Sequence, residues 1–230
     1  MSRYTLEQFV QQSSQKDRGQ GVFELESPYM LEVNLSGEVR TKLGSMVAYI
    51  GDVKFTREGI AQEGLGNFLK RQFTGEGAKF TIAQGMGKVY LADAAKRITI
   101  LELNNDEIVV NGEDLLAMTP GLQHKTTMMK KVAAIASGGL FNVRVSGTGM
   151  VAITTHHDPL TLRVTPQMPV FTDPNATVAW SGSLNPSFKT DVSLKTFIGR
   201  GSGESFQMKF EGDGWVVIQP YEETPLQAGT

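Results

Sequence analysis

One sequence pattern, alternating apolar residues followed by Gly-x-Gly and then by alternating apolar residues again, occurs three times in the chain. The copies are residues 79–91 (KFTIAQGMGKVYL), 141–153 (FNVRVSGTGMVAI) and 206–218 (FQMKFEGDGWVVI). Alternation with a period of two is typical of a β-strand with one buried face, and glycine supplies the positive φ of a tight hairpin turn. The pattern therefore predicts three β-hairpins that turn at their glycine pairs. These predicted structural turns are Gly85, Gly87, Gly147, Gly149, Gly212 and Gly214.

A second piece precedes each Gly-x-Gly copy, namely a strand-like segment in which an alanine is followed by a large side chain. The alanines are Ala48, Ala117 and Ala179. Their spacing is close to the spacing of the glycine pairs, so both pieces belong to one unit of roughly sixty residues. The sequence thus predicts an all-β domain of three pseudo-repeats of antiparallel strands with short helical insertions, at approximately residues 22–103, 104–165 and 166–220.

Composition and chain order favour one globular β domain. The 230 residues include 25 glycines and 9 prolines, which fit many short strands joined by turns. No Pro/Ser-rich stretch separates the units, so residues 22–220 are predicted to form a single domain. Residues 1–21 are predicted to form a short helix, N-capped by Thr5, and a linker, and residues 221–230 a polar tail.

Net charge and cysteine content restrict the location and the partners of the protein. The formal net charge of −2 predicts no bulk attraction to nucleic acid or to a membrane. The absence of cysteine removes disulfides and thiolate chemistry and suits a reducing compartment. The chain also lacks the apolar run of a signal peptide or a membrane-spanning helix. We therefore expect a cytoplasmic protein.

Several motifs together resemble the altered inheritance of mitochondria protein 24 family. They are GSMVAYIGDVKF at 44–55, TGEG at 74–77, GMGKVYLAD at 85–93, GGLFNVRVSGTGMVAI at 138–153 and GSGESFQMKFEGDGWVV at 201–217. The resemblance covers about residues 22–220. It implies a double-stranded β-helix-like fold, similar to that of the tryptophan-operon RNA-binding attenuation protein, but no agreed activity and no catalytic residues. Mitochondrial members are associated with inner-membrane organisation, whereas the lack of an Arg-rich transit peptide here favours a bacterial member.

A third recurring piece combines apolar residues at helical spacing with basic residues, most clearly at 64–73 and 128–136. Such stripes either cap the β core or form an association face, through which the chain would self-associate or bind a partner protein as a scaffold. This candidate association face consists of Leu65, Phe68, Leu69, Lys70, Arg71, Met128, Met129, Lys130, Lys131 and Ile135.

Two other binding functions are alternatives. The lysines and arginines of the candidate association face would also suit peripheral binding to an anionic membrane surface. RNA binding is suggested by the related attenuation protein, but most aromatic residues alternate toward the core and the net charge is negative. Binding to RNA is therefore ranked below self-association and below membrane binding.

The residues that could support catalysis do not form a complete set. His156 and Asp158 are predicted to share one face of a strand, as in the His-x-Asp half of a two-histidine, one-carboxylate metal site. No histidine follows Asp158 to complete such a site in its usual order, so the metal-dependent enzyme is the weakest alternative. The sequence thus predicts a non-enzymatic protein without a bound metal or cofactor.

Overall fold

The computed structural model describes residues 3–19, 21–58, 80–128, 141–190 and 206–222. Within these ranges the chain forms one helix and fourteen strands, which confirms the all-β class. The helix α1 (Leu6–Ser13) begins as predicted, because the Thr5 hydroxyl accepts from the backbone N–H of Gln8 and the Gln8 side chain accepts from that of Thr5. No residue of α1 is buried.

The first group of strands is organised around the strand that carries the first Gly-x-Gly motif. Its members are β1 (Phe23–Ser27), β2 (Met30–Lys42), β3 (Met46–Arg57) and β4 (Phe80–Leu91). Strand β4 pairs antiparallel with β2 on one side and with β3 on the other, in both cases along its length. Strand β1 adds to the first half of β2.

The second group has the same arrangement around the second motif. It consists of β5 (Arg97–Asn111), β6 (Leu115–Met118), β7 (Leu122–Met128) and β8 (Phe141–Thr155). Strand β8 pairs with β5 on one side and with the two short strands β6 and β7 on the other. All these pairs are antiparallel, so β6 and β7 together take the place that β3 has in the first group.

The third group is interrupted, and its strands divide between two sheets. It consists of β9 (Leu160–Val164), β10 (Val170–Thr172), β11 (Thr177–Ser181), β12 (Ser187–Thr190), β13 (Phe206–Phe210) and β14 (Gly214–Ile218). Strand β14 lies between β9 and β11, and β13 lies between β10 and β12. The second of these pairings is a separate three-stranded sheet.

Two short junctions join the groups. Near its end, β2 pairs with β6, with Thr41 opposite Ala117. Near its end, β5 pairs with β11, with Val110 opposite Ala179. These junctions produce a large sheet of order β3-β4-β2-β6-β8-β5-β11-β14-β9, in which β3 and β9 are the terminal strands of the described part of the chain.

The core consists of three apolar clusters that lie on the two faces of the junction strands. Leu115 and Met118 of β6 belong to one cluster, whereas Leu116 and Ala117 belong to the next. All four side chains are fully buried. A strand buried on both faces reads as a continuous apolar run rather than as an alternating one, which explains the LLAM sequence of β6.

The predicted hairpin turns at the glycine pairs are wrong. Gly85 and Gly87 lie inside β4, and Gly147 and Gly149 lie inside β8, so in both cases the chain continues as one strand. Gly212 and Gly214 do follow the end of β13, but β13 and β14 pair with different strands and not with each other. In β4 and β8 the period-two pattern therefore continues across the glycines without a reversal of the chain.

The glycines instead permit an unusual backbone conformation and a close approach of strands. Gly85, Gly87, Gly147 and Gly149 have φ values of 136°, 151°, 119° and 157°, which residues with a Cβ rarely adopt. A Cβ on Gly87 would overlap the carbonyl oxygen of Ile50 in the neighbouring strand. Such positions are typical of bent strands, where only a missing side chain allows the backbones to meet. Gly212 also has a positive φ, of 113°, whereas Gly214 is not among the positive-φ residues.

Replacing Gly87 by alanine should destabilise the protein more than replacing Gly37. Gly37 also has a positive φ, of 108°, but nothing lies within 4 Å of its missing Cβ. Gly37→Ala should therefore cost about 1 kcal/mol through backbone strain, whereas Gly87→Ala should cost about 2 kcal/mol or more, because the overlap adds to the strain. The free energies of unfolding from urea titrations measure both costs. Equal stability of the two variants would contradict the close-approach interpretation.

Candidate interaction surface

The first half of β3 exposes a row of large apolar side chains. Val47, Tyr49 and Ile50 are 54%, 49% and 55% exposed, and Met46 is also exposed. In the described part of the chain, β3 pairs only with β4, so one edge of its backbone carries no partner strand. Exposed edge strands with apolar side chains are templates for pairing with another chain.

The neighbouring residues extend this surface. Met86 of β4, which lies opposite Asp52, is 71% exposed, and the Tyr49 ring packs edge-on against Phe55. From Met46 to Gly51 the strand carries no charged residue. We call this surface the β3 edge; it consists of Met46, Val47, Tyr49, Ile50 and Met86.

The corresponding strands of the other groups are buried. The side chains of β6 are fully buried, and Trp180 of β11 is 3% exposed. The difference has a structural cause: β6 and β11 have a partner strand on each side, whereas β3 has only β4. The apolar side chains of β3 are therefore of the type that is covered elsewhere in the same protein.

A second exposed edge lies in the third group, at β10. In the described residues, β10 pairs only with β13. Phe171 is 44% exposed, and Met168, just before β10, is also exposed. The ammonium groups of Lys189 and Lys209 lie 5.2 Å and 5.9 Å from the centre of the Phe171 ring, within the range of cation–π attraction. We call Met168 and Phe171 with the free side of β10 the β10 edge.

An ionic network reinforces the first junction between groups. Glu58, just after β3, accepts a 2.9 Å hydrogen bond from Nε of Arg40 and lies 3.4 Å from Nε2 of His124 in β7. The hydrogen bond with His124, and secondarily Arg40, holds the pKa of the Glu58 carboxyl below its ordinary value, although burial acts in the opposite direction. Phe80 packs edge-on against the His124 ring.

The second junction has an arginine instead. Arg144 of β8 pairs with Glu107 of β5 and donates to the carbonyl oxygen of Gly182, just after β11, at 3.0 Å. Its other terminal nitrogen lies 3.4 Å from Oδ1 of Asn185. One side chain thus connects three segments of two groups, which is a structural role and offers no free cation to a ligand.

A polar cluster attaches the N-terminal segment to the sheet. Lys88 donates to the fully buried Glu32 at 2.7 Å and lies 3.4 Å from Asp17. The hydrogen bond with Glu32 raises the pKa of Lys88. Burial, together with a hydrogen bond to Glu32, raises the pKa of Tyr90 to about 12, and its hydroxyl donates to Gln15 at 3.1 Å. These shifts favour the charged lysine and the neutral tyrosine, as a structural cluster requires.

A buried ion pair connects the first two groups next to the first junction. Lys96 lies 3.0 Å from Asp114, and both side chains are at most 5% exposed. Lys42 of β2 lies 3.0 Å from Asp93, whose carboxylate also accepts from the Thr154 hydroxyl at 3.2 Å. Each charge faces an opposite charge within the protein, so the cluster serves packing rather than chemistry.

An open groove of about 860 Å³ lies on the second and third groups. Leu101 and Leu103 of β5 and Trp215 and Val217 of β14 supply its apolar wall, and Glu102 lies at its side. The corresponding face of the first group is covered, because Phe23 of β1 is buried in the core cluster there. The groove is therefore a third apolar surface besides the β3 edge and the β10 edge, and buried or partly buried side chains line it next to the second junction.

The histidine pair does not have the predicted geometry. Strand β8 ends at Thr155, and His157 has a left-handed φ of 62°, so His156 and Asp158 do not share a strand face. Asp158 forms a 2.9 Å ion pair with Arg97, and the His156 ring lies on Tyr221 with centroids 3.9 Å apart. No cluster of three or more His, Cys, Asp or Glu residues suitable for a metal occurs within the described ranges.

The candidate association face lies almost entirely outside the described residues. Leu65, Phe68, Leu69, Lys70 and Arg71 belong to residues 59–79, and the remaining residues after Met128 belong to 129–140. Those outside residues of the second segment are Met129, Lys130, Lys131 and Ile135. Met128 is the last residue of β7. The association face remains a prediction.

The comparison with family models decides the family. A model of the family described as "Mitochondrial biogenesis AIM24" matches residues 23–221, which is most of the chain. The chain belongs to the AIM24 family. The match agrees with the resemblance that the Gly-x-Gly motifs indicated. The family description names no activity that could be assigned to this member.

A solved structure supports the fold of this AIM24-family chain. The crystal structure of protein SPYM3_0169 from Streptococcus pyogenes superposes with a TM-score of 0.68 at 23% sequence identity and covers 87% of this chain and 92% of its own. At that identity the likeness concerns the fold alone. No curated protein matches the chain. Among the described residues, no helix has the length and hydrophobicity of a membrane span.

The two exposed edges were missed from the sequence, although a signal for one of them was present. The sequence predicts a recurring strand from Met46 to Gly51, but the pattern does not indicate whether its apolar residues are covered. In the described residues, β3 differs from β6 and β11 in that no strand of another group pairs with it. The exposure of Phe171 leaves no such signal, because a single aromatic residue in a three-residue strand is ordinary.

The stability contribution of Glu58 should depend on pH. Since the folded-state pKa is lowered, the ionised carboxyl stabilises the fold above the pKa of the unfolded chain, about 4.3, and this contribution is lost as the pH falls through the folded-state value. Glu58→Gln should thus cost about 1 kcal/mol at neutral pH and almost nothing well below pH ~4. Urea unfolding at several pH values measures the difference.

Glu38→Gln is the matched control, because Glu38 lies 3.8 Å from the same Arg40 but is 41% exposed. Its effect should stay within about 0.5 kcal/mol at every pH. A Glu58 effect that does not change between neutral and acidic pH would contradict the assignment.

Proposed function

We propose that this AIM24-family protein is a non-enzymatic scaffold that self-associates through its exposed β3 edge. The single observation behind the proposal is the exposure of Val47, Tyr49 and Ile50 on a terminal strand, where the equivalent strands β6 and β11 are buried. Backbone groups of the unpaired edge supply hydrogen bonds to an added strand, and the apolar side chains supply the hydrophobic contribution.

The hydrophobic effect favours association through the β3 edge. Burial of apolar surface is favourable by roughly 25 cal/mol per Å², and the β3 edge offers four large side chains from one strand and Met86 from the next. Soluble monomers usually break such edges with lysines, prolines or bulges. The first half of β3 contains none of these charges or prolines, and its bulge lies between Met46 and Ala48.

We also propose that the three groups of strands are copies of one unit in a double-stranded β-helix-like fold, as in the tryptophan-operon attenuation protein. Support comes from the β-bulges, which precede Ala48, Ala117 and Ala179 in the three groups. Bulges at matching positions are inherited features of strands rather than accidents. On this proposal, β3 is the copy of β6 and β11 that has a partner strand on only one side in the described residues. Its exposed edge is therefore suited to a partner strand from another molecule.

The charge of the surface favours a protein partner over a membrane or nucleic acid. Asp52 and Lys54 are the charged residues of β3 next to the β3 edge, and they have opposite signs. Binding to anionic lipid or to RNA requires several cations on one surface. Apolar association, unlike those two interactions, should survive high salt.

The purified protein should associate in a concentration-dependent manner, and Ile50→Glu should weaken the association at least tenfold. Burying a new carboxylate in an apolar interface opposes association by more than the ~1.4 kcal/mol that corresponds to tenfold. Sedimentation velocity at low and high salt measures the distribution of masses. Tyr29→Glu, at an exposed residue of the turn before β2, is the control with the same charge change and should associate like the wild type.

A wild-type protein that stays monomeric at all concentrations would contradict the proposal. Association that disappears at high salt would favour an electrostatic partner surface instead. Flotation with anionic liposomes, run beside the sedimentation experiment, distinguishes lipid binding as the cause.

A further inference from the structure

The two junctions within the chain use one register of strand pairing. At the first junction Thr41 lies opposite Ala117, and at the second Val110 lies opposite Ala179. Each pair joins the end of a long strand of one group, β2 or β5, to the alanine of the short strand in the next group. In the described residues, the β10 edge and the β3 edge each lack the second partner strand that the junction strands have. A contact between these two edges rests on the proposed self-association.

The β10 edge has the position of a donor half. Ile108 of β5 and Val170 of β10 each lie opposite the residue two positions before the first glycine of a Gly-x-Gly motif. Two residues further along each strand, Thr172 of β10 corresponds to Val110 of β5. Val110 pairs with Ala179 at the second junction. Phe171 then lies one residue before the alanine-pairing position.

The β3 edge has the position of an acceptor half. Ala48, Ala117 and Ala179 each follow a β-bulge and lie opposite the residue three positions after the second glycine of their motif. Ala117 and Ala179 pair with the preceding group, whereas Ala48, in the described residues, pairs only with Tyr90 of its own group. Tyr49 follows Ala48 as Trp180 follows Ala179.

We propose that the β10 edge of one copy of this chain pairs antiparallel with the β3 edge of the next copy, with Thr172 opposite Ala48 and Phe171 opposite Tyr49. The pairing continues the sheet from molecule to molecule in the register of the internal junctions. The partner is therefore a second copy, bound head to tail, and not a second β3 edge.

The internal junctions indicate what this contact buries. Trp180, in the position of Tyr49, is 3% exposed, whereas Tyr49 is 49% exposed. Val109, in the position of Phe171, is 5% exposed, whereas Phe171 is 44% exposed. Two aromatic rings that lie opposite each other across a strand pair also stabilise it directly. The junction thus covers the same residues that the single molecule leaves in water.

A head-to-tail contact differs in its consequences from a symmetric dimer. The two surfaces are different, so every added copy leaves one β3 edge and one β10 edge at the ends of the assembly. The series closes into a ring if the rotation between copies allows it, and otherwise continues as a chain. A contact between two β3 edges would instead stop at two copies.

Two charged variants distinguish these arrangements. Tyr49→Glu blocks the β3 edge and Phe171→Glu blocks the β10 edge; both residues are exposed, so the folded monomer should tolerate either change. Each variant alone should be monomeric by sedimentation velocity. A mixture should form a dimer and nothing larger, because one native junction remains and the other places two glutamates opposite each other.

The outcomes test self-association and the head-to-tail contact separately. A monomeric wild type would overturn both the self-association and the head-to-tail contact. Association of the wild type that survives Phe171→Glu would overturn the head-to-tail contact alone and favour a symmetric β3 contact. Unchanged circular dichroism and melting temperature of both variants, with Tyr29→Glu as the control for added charge, show that loss of association is not loss of folding.

Cross-linking tests the register without loss of the contact. The chain has no cysteine, so Tyr49→Cys and Phe171→Cys introduce the only thiols. Directly opposite residues of an antiparallel pair have Cα atoms about 4.5–5.5 Å apart, within the range of a disulfide. Under mild oxidation the mixture should give a disulfide-linked heterodimer in high yield, and each variant alone much less. Equal yields from Tyr49→Cys alone and from the mixture would contradict the proposed register.

Discussion

The structure depends on a backbone ladder that passes from one group of strands to the next through a short alanine-bearing strand. In β6 and β11 this strand pairs with a neighbouring strand on both edges, and its apolar side chains are buried. The alanine at each junction is small and buried, since Ala117 and Ala179 are at most 1% exposed. In the described residues, strand β3 lacks such a second partner strand, and its apolar side chains are exposed.

Charges reinforce the ladder at places where apolar contact ends. Glu58 holds Arg40 and His124 beside the first junction, and Arg144 connects β8 with the segment after β11 at the second. The two junctions are thus reinforced by polar contacts of different residues. Such pairs fix the geometry of a junction more than they stabilise it, because desolvation of the charges offsets much of their attraction.

Much of the fold was predictable from the sequence, because strand periodicity is a local property. The alanine-bearing strands were predicted from a recurring pattern, the helix from the capping residue Thr5, and the all-β class from the alternation together with the glycine and proline content. The glycine pairs were assigned to turns because a positive φ fits either a hairpin or a bend, and only the pairing of β4 and β8 along their whole lengths decides between them. The predicted strand face of His156 and Asp158 failed since β8 ends before both residues.

The β3 edge was predicted as a recurring strand, but not as an exposed surface. Tyr49 and Trp180 occupy matching sequence positions, yet one lies in water and the other in the core. Burial depends on which strand lies alongside, and that information belongs to the whole chain rather than to the segment.

The common register of both junctions has a consequence for how such a chain could lengthen or shorten in evolution. A duplicated group would meet its neighbour through the contact that already exists twice, so no new interface would have to arise at the moment of duplication. Stability in such architectures grows approximately by one group and one contact at a time. The two ends would keep the same character at any length. On the proposed repeat, duplication would set the number of groups, and the geometry of the junction would not limit it to three.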